Sequence, residues 1–112
     1  MFGQPDFVTA NEFANQPSTP SSLRFPYAID VADGQMAVTD TASNRVLVWD
    51  AVPTGATPAD RVLGQLNFTT GGENRWDAVA ADTLCWPYGL SLHDGLLAAA
   101  DAGNNRIMVW DL

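Results

Sequence analysis

The sequence predicts an all-β protein, and two observations carry this prediction. First, the chain repeats itself, because residues 23–50 recur without a gap as residues 84–111, at an offset of 61 residues. The same offset aligns Phe2-Gly3-Gln4 with Leu63-Gly64-Gln65. Second, each copy consists of short apolar runs broken by turn residues, with no run of helical period. A constant repeat of this kind is typical of solenoids and propellers.

Turn residues divide the first copy into four predicted strands. Asp33-Gly34 suits a tight hairpin after the first strand, and the polar loop 41–44 follows the second. The third run, Val46 to Trp49, is apolar at every position, as in a strand covered on both faces. Four short antiparallel strands per repeat predict a β-propeller blade. The predicted strands are residues 28–32, 36–40, 45–50 and 61–64, and in the second copy residues 89–93, 97–101 and 106–111.

Each copy resembles an NHL repeat, in which a Pro-x-Gly start, a Gly turn, a strand ending in Asp, and Asn-Arg before a further strand follow one another. The resemblance implies a β-propeller, commonly of six blades. The chain departs from the pattern at Ala28, where the family prefers Gly, and at Ala98-Ala99-Ala100, which thin a strand. The matching residues are Pro26, Ile29, Val31, Gly34, Val38, Asp40, Asn44, Arg45, Val46 and Val48, and then Pro87, Gly89, Leu90, Leu92, Gly95, Asp101, Asn105, Arg106, Ile107 and Val109.

The repeat divides the chain into two units. Residues 1–65 form the first NHL-like repeat, with Met1–Gln4 as the fourth strand of a neighbouring blade, a crossover loop, and blade one at residues 23–65. Residues 66–112 form the second repeat, with a crossover loop and three strands of blade two. Loops of this length on a rigid scaffold often carry binding functions.

Charge limits the partners that we expect. The chain has 13 acidic residues, five arginines, no lysine and a net charge of −8. Such a surface repels phosphate backbones, so an RNA-binding NHL module is disfavoured and no nucleic-acid partner is expected. No apolar run is long enough to cross a membrane. No signal peptide opens the sequence as written, so a cytoplasmic protein is expected unless a precursor segment was removed.

Partner-binding residues are predicted on the face that carries the crossover loops. Trp76 lies in a polar loop between Arg75 and Asp77, and its counterpart in the first repeat is Asn15. It is either an exposed anchor for a partner or a side chain tucked over the blade edge. Tyr27 and Tyr88 open the first strands and complete this candidate set.

Two Asp/Arg pairs bracket loops of the same length, four residues, namely Asp40 with Arg45 and Asp101 with Arg106. An aspartate there can accept backbone N–H bonds, while the arginine forks across to carbonyl or carboxylate groups. Because the pair recurs in each blade, we interpret it as a structural clasp. The alternative is a ring of ligand-binding charges around a central opening.

Catalytic and metal sites find little support in the sequence. His93 is the only histidine and Cys85 the only cysteine, so neither a multi-histidine metal site nor a disulfide can form within one chain. The acidic residues of the crossovers lack the spacing of a calcium loop. We therefore expect no catalytic residues, no metal and no cofactor. A propeller enzyme of lactonase or lyase type with a channel metal remains the alternative.

The sequence thus favours a non-enzymatic NHL scaffold that mediates protein–protein interaction or assembly through its crossover-loop face. The expected partner is a further copy of the chain or another protein. Head-to-tail joining would let Met1–Gln4 complete blade two of a neighbour, and six blades would need three copies. Four copies, or completion by a different chain, are the alternatives.

Overall fold

The computed structural model describes residues 1–12 and 16–112, which fold into two antiparallel sheets. Sheet 1 has four strands and sheet 2 has three, each in simple chain order. The predicted all-β class is therefore confirmed. Sheet 1 comprises β1 (Pro26–Ala32), β2 (Gln35–Asp40), β3 (Arg45–Trp49) and β4 (Arg61–Leu63), and sheet 2 comprises β5 (Pro87–His93), β6 (Leu96–Asp101) and β7 (Arg106–Asp111).

The predicted strands agree with these bounds to within about two residues. β1 starts earlier than expected, because Pro26 pairs with Asp40 across an irregularity in the register. The same irregularity recurs between Pro87 and Leu90 in sheet 2. The predicted Asp-Gly hairpin is also present, with φ of 53° at Asp33 and 81° at Gly34. Both values lie in the left-handed region that such a turn requires.

Short 3₁₀ turns link the second and third strands of each sheet, at Thr41–Ser43 and Ala102–Asn104. Each turn ends on an asparagine in the left-handed conformation, with φ of 52° at Asn44 and 55° at Asn105. Asparagine tolerates this conformation better than most residues. The two loops thus have equivalent backbones, and they share the final asparagine.

The principal core lies between the two sheets. Val46 and Val48 of β3 project from sheet 1 and pack with Leu92 and Leu97 of sheet 2. All four side chains are buried. Apolar area removed from water in this way stabilises the stacking of one sheet on the other.

A second cluster covers the opposite side of sheet 1. Leu47 and Trp49 project there, and the aromatic ring of Phe2 meets Trp49 edge-on at 5.6 Å. Leu23 packs against the same cluster. This flank is therefore less open than the sequence suggests, since the N-terminal segment covers part of it.

The long crossover loops connect these parts. Met1–Gln4 belongs to neither sheet and makes one isolated bridge, between Gly3 and Ser22. The first crossover includes residues 13–15, among them Asn15, which lie outside the described residues. Among the described residues, none of the helices has the length and apolar character of a membrane span.

Candidate functional site at the crossover-loop face

Hydrogen bonds hold the β2–β3 loop and the second crossover together at one end of the sheets. Asn44 donates from Nδ2 to the carbonyl oxygen of Gly71 at 2.9 Å. Gln65 donates from Nε2 to the carbonyl oxygen of Asn44 at 3.0 Å. The β6–β7 loop contacts the same crossover, because Asn74 and Asn104 exchange amide hydrogen bonds at 3.0 and 2.8 Å. We call this end the crossover-loop face; it comprises residues 41–44, residues 102–105 and the described residues of the two crossovers, which are 5–12 and 16–22 in the first and 66–83 in the second.

The first Asp/Arg pair is completely buried beneath this face. Arg45 Nε donates to Asp40 Oδ2 at 2.7 Å, and neither side chain is exposed. The other arginine nitrogens donate to the carbonyl oxygens of Phe68, Thr19 and Ser22. One arginine therefore joins the hairpin to both crossovers.

The second pair repeats most of this arrangement. Arg106 Nε donates to Asp101 Oδ2 at 2.7 Å, and Nη2 donates to the carbonyl oxygens of Ala80 and Thr83. The Arg106 side chain is 27% exposed, whereas that of Arg45 is fully buried. Each arginine binds the crossover that precedes its sheet. Arg45 is more buried because it also binds the crossover that follows its sheet, at the carbonyl oxygen of Phe68.

The burial of the first pair changes the pKa of its aspartate, Asp40. Burial raises the pKa of the Asp40 carboxyl, and the positive charge of Arg45 opposes this rise. The backbone N–H of Arg24 also donates to Asp40 Oδ1. Each Asp/Arg pair thus binds loops of its own chain.

Trp76 stands out from the second crossover, with 82% of its surface exposed. It ends a 3₁₀ segment, Glu73–Trp76, in which three successive residues have left-handed backbones. Their φ values are 48°, 60° and 61° for Asn74, Arg75 and Trp76. Of the two sequence interpretations, the structure places Trp76 in the exposed position.

Arg75 and Asp77 flank this tryptophan, but they do not point together. Arg75 Nη2 contacts Asp82 at 2.8 Å, both at the carboxylate and at the carbonyl oxygen. Asp77 accepts a hydrogen bond from the backbone N–H of Ala78. The arginine therefore closes the crossover on itself, and Asp77 forms a local turn.

Tyr27 and Tyr88 meet where the first strands of the two sheets, β1 and β5, lie beside each other. Their rings are 4.7 Å apart and nearly perpendicular, at 84°. Each is the second residue of the first strand of its sheet, β1 or β5, where a crossover enters. The structure brings these two residues together as a pair at the same end as the crossover loops.

Two supporting contacts of this face were missed by the sequence reasoning. Trp86 donates from its indole nitrogen to Glu73 Oε1 at 2.8 Å. The Asn74–Asn104 amide pair joins a crossover to a hairpin loop. The sequence does place asparagines in both loops, at Asn74 and Asn104. It does not show that they meet, because the path of an aperiodic crossover cannot be derived from its composition.

The described residues offer no cluster of three or more His, Cys, Asp or Glu side chains that could hold a metal ion. Burial raises the pKa of the Cys85 thiol, with Glu73 and Asp101 adding to the rise. The thiolate is the nucleophilic form of cysteine. Cys85 is therefore a poor nucleophile near neutral pH.

No protein-family model matches the chain, and the comparison with curated proteins finds no match either. The resemblance to NHL repeats thus rests on the residues that carry it in the sequence.

Proposed function

We propose that this chain is a non-enzymatic scaffold built from two NHL-type propeller blades, and that it binds a protein partner through the crossover-loop face. The stacking of two equivalent antiparallel sheets, each closed by an Asp/Arg clasp, supports the blade assignment. The clasp arginines bind backbone carbonyl groups of the crossovers, so the crossover side chains remain available for other contacts. Such a division suits a binding module.

The exposed indole of Trp76 is the observation that carries the proposed binding role. Tryptophan is enriched among the residues that dominate binding energy, because it buries a large surface at a small cost in conformational entropy. Asn74 anchors the segment beneath it, with its N–H donating to the carbonyl oxygen of Leu84 at 2.9 Å. Trp76 is therefore displayed on a segment that is bonded to Leu84, a residue of the core between the sheets.

Acidic groups around this anchor indicate the chemistry of the partner. Glu73 and Asp77 lie on either side of Trp76 along the chain, and the whole protein carries a net charge of −8. A partner surface with an apolar pocket and a basic rim would complement them. The same charge disfavours RNA as the ligand.

A chemical crosslinking pull-down from the native source tests this function. We expect the unmodified chain to recover a specific partner and Trp76→Ala to lose at least about tenfold in recovery, since hot-spot truncations cost about 2 kcal/mol or more. Val52→Ala is the matched control, because it trims an exposed apolar residue of the β3–β4 connection, at the opposite end. Equal recovery with Trp76→Ala would show that this face is not the binding site.

A further inference from the structure

The outer face of sheet 2 is apolar and exposed, whereas the equivalent face of sheet 1 is covered by sheet 2. Ile107 and Val109 of β7 are 65% and 61% exposed. Their counterparts at the 61-residue offset, Val46 and Val48, are fully buried, because sheet 2 packs on them. We call the surface formed by Ile107, Val109 and Ala98 the tail face.

The outer face of sheet 1 is the matching surface. Ile29 is 63% exposed and Val31 is 51% exposed, and they pair across the strands with Val38 and Met36. At the same offset, Leu90 and Leu92 of sheet 2 pack against the core between the sheets. A cavity of about 340 Å³ lies on this surface. We call this outer face of sheet 1 the head face. The residues that line its cavity include Phe2, Leu23, Tyr27, Ile29, Met36 and Val38.

The N-terminal segment marks where a further sheet would lie against the head face. A Cβ built on Gly3 would meet Leu23 at 2.9 Å, and one built on Gly64 would meet Leu84 at 2.6 Å. Gly64 directly follows β4, the fourth strand of sheet 1. Phe2-Gly3 therefore occupies, against sheet 1, the position that the end of a fourth strand occupies against sheet 2.

The interface between the two sheets also supplies a pattern of polar contacts. Asn44 Oδ1 accepts from the backbone N–H of Trp86 at 2.8 Å, and Asp33 Oδ2 accepts from that of Asp94 at 2.7 Å. Arg45 Nη1 donates to the carbonyl oxygen of Phe68 at 2.7 Å. All three contacts run from sheet 1 or its loops to the repeat that follows it.

For each of these contacts, the tail side carries an equivalent side chain and the head side carries an equivalent backbone group. The tail side carries Asn105, Asp94 and Arg106 in place of Asn44, Asp33 and Arg45. The head side carries the backbone groups of Phe25, Asp33 and Phe7 in place of those of Trp86, Asp94 and Phe68. The backbone conformations agree as well, with φ of 54° at Phe25 and 48° at Trp86.

We propose that the tail face binds the head face of a second copy of this chain. Asn105 then accepts from the N–H of Phe25 of the second copy, and Asp94 from that of its Asp33. Arg106 donates to the carbonyl oxygen of Phe7 of the second copy, which gives it the partner that Arg45 finds in Phe68. The association is heterologous, because each copy uses a different surface on either side.

A second copy is the occupant that the observations favour, because the head face repeats a surface that already fits this chain. Three contacts of the internal interface are not reproduced by the same side chain on the tail side. Asp30 Oδ2 accepts from the backbone N–H of Leu92 at 2.7 Å, whereas the tail side carries Ser91. Thr39 and Thr41 donate to the carbonyl oxygens of Tyr88 and Pro87, at 2.8 and 2.6 Å, whereas the tail side carries Ala100 and Ala102. The contact between copies is therefore weaker than the contact between the sheets.

Mixing two blocked variants tests the proposal, with sedimentation equilibrium as the readout. Val109→Asp blocks the tail face and Ile29→Asp the head face, and both replace exposed side chains. We expect each variant alone to remain at 12.0 kDa and an equimolar mixture to form a 1:1 complex of about 24 kDa (2 × 12.0 kDa). Self-association of either variant alone would overturn the head-to-tail contact, as would a native chain that stays monomeric.

A gain of affinity supplies a test that misfolding cannot imitate. Ala102→Thr restores the hydroxyl that Thr41 provides, so it can donate to the carbonyl oxygen of Pro26 of the second copy. One hydrogen bond corresponds to about fivefold tighter association. Ala102→Val adds similar bulk without the donor and should bring no such gain; equal effects of the two variants would overturn the proposed contact.

This inference uses the outer faces of the two sheets and the edge of the crossover-loop face at Phe7, Ala102 and Asn105. It does not use Trp76, so the two proposals can fail independently. Trp76→Ala should leave self-association unchanged, and Val109→Asp should leave recovery of the crosslinked partner unchanged. Loss of self-association in Trp76→Ala would show that the crossover, and not the sheet faces, joins the copies.

Discussion

A buried arginine needs acceptors for its N–H groups, and Arg45 finds them in one carboxylate and three loop carbonyls. Removal of the guanidinium leaves Asp40 buried with its charge uncompensated, and the three carbonyl groups lose their donor. A buried ion pair broken in this way destabilises far more than a surface pair. At the level of single residues, we therefore expect the loss of a clasp residue to cost more stability than the loss of a surface ion pair.

Arg45→Ala should lower the free energy of unfolding by about 3–5 kcal/mol, as measured by urea denaturation. The control is Arg61→Ala, which removes an ion pair with Asp50 in which both side chains are more than one-third exposed. That change should cost less than about 1 kcal/mol. Similar losses in the two variants would contradict the role of the clasp.

The sequence predicts the clasps because each pair recurs at the same offset and brackets a loop of fixed length. It does not predict the carbonyl groups of Thr19, Ser22 and Phe68, which reach Arg45 through aperiodic crossovers. The exposure of Trp76 was undecided for the same reason. Local patterns determine which side chains are available, whereas the loop path determines what they contact.

At the scale of elements, the strands were predictable because runs of apolar residues end at turn-forming residues. Asp33-Gly34 and Asp94-Gly95 both adopt the left-handed conformations that the tight turns need. A one-residue shift would move Val46 and Val48 to the other face of the sheet, where Leu47 and Trp49 pack in the second cluster. The displacement of β1 to Pro26 was not predictable, because it depends on an irregular pairing with β2.

Gly64 connects the end of β4 to the next sheet, and it makes a sharp test of this packing. Its φ is +88°, and an added Cβ would lie 2.6 Å from Leu84 Cδ1. Gly64→Ala should therefore cost about 2–4 kcal/mol from backbone strain and overpacking together.

Thermal or urea unfolding measures this cost, and Gly55→Ala is the control. An added Cβ at Gly55 meets no atom within 4 Å, and its backbone is not left-handed. The control should stay within about 0.5 kcal/mol of the native chain. A Gly64→Ala variant as stable as the control would mean that β4 does not pack tightly on Leu84.

In the molecule as a whole, the two sheets share the same strand order but differ in what covers their faces. Sheet 1 has sheet 2 on one side and the N-terminal segment on the other, whereas β7 exposes Ile107 and Val109. In the described parts of the chain, no strand pairs with the outer edge of β7. Exposed apolar strands of this kind promote association. The net charge of −8 opposes it until salt screens the repulsion.

We propose that these sheets are propeller blades whose exposed faces complete one another in a closed ring. The mass of the native chain in solution, from light scattering at about 0.15 M salt over a range of concentrations, tests it most directly. Six blades require three copies, so we expect a limiting mass of about 36 kDa (3 × 12.0 kDa) that does not grow further with concentration. A mass that remains at 12.0 kDa at every concentration would show that the chain does not form a ring.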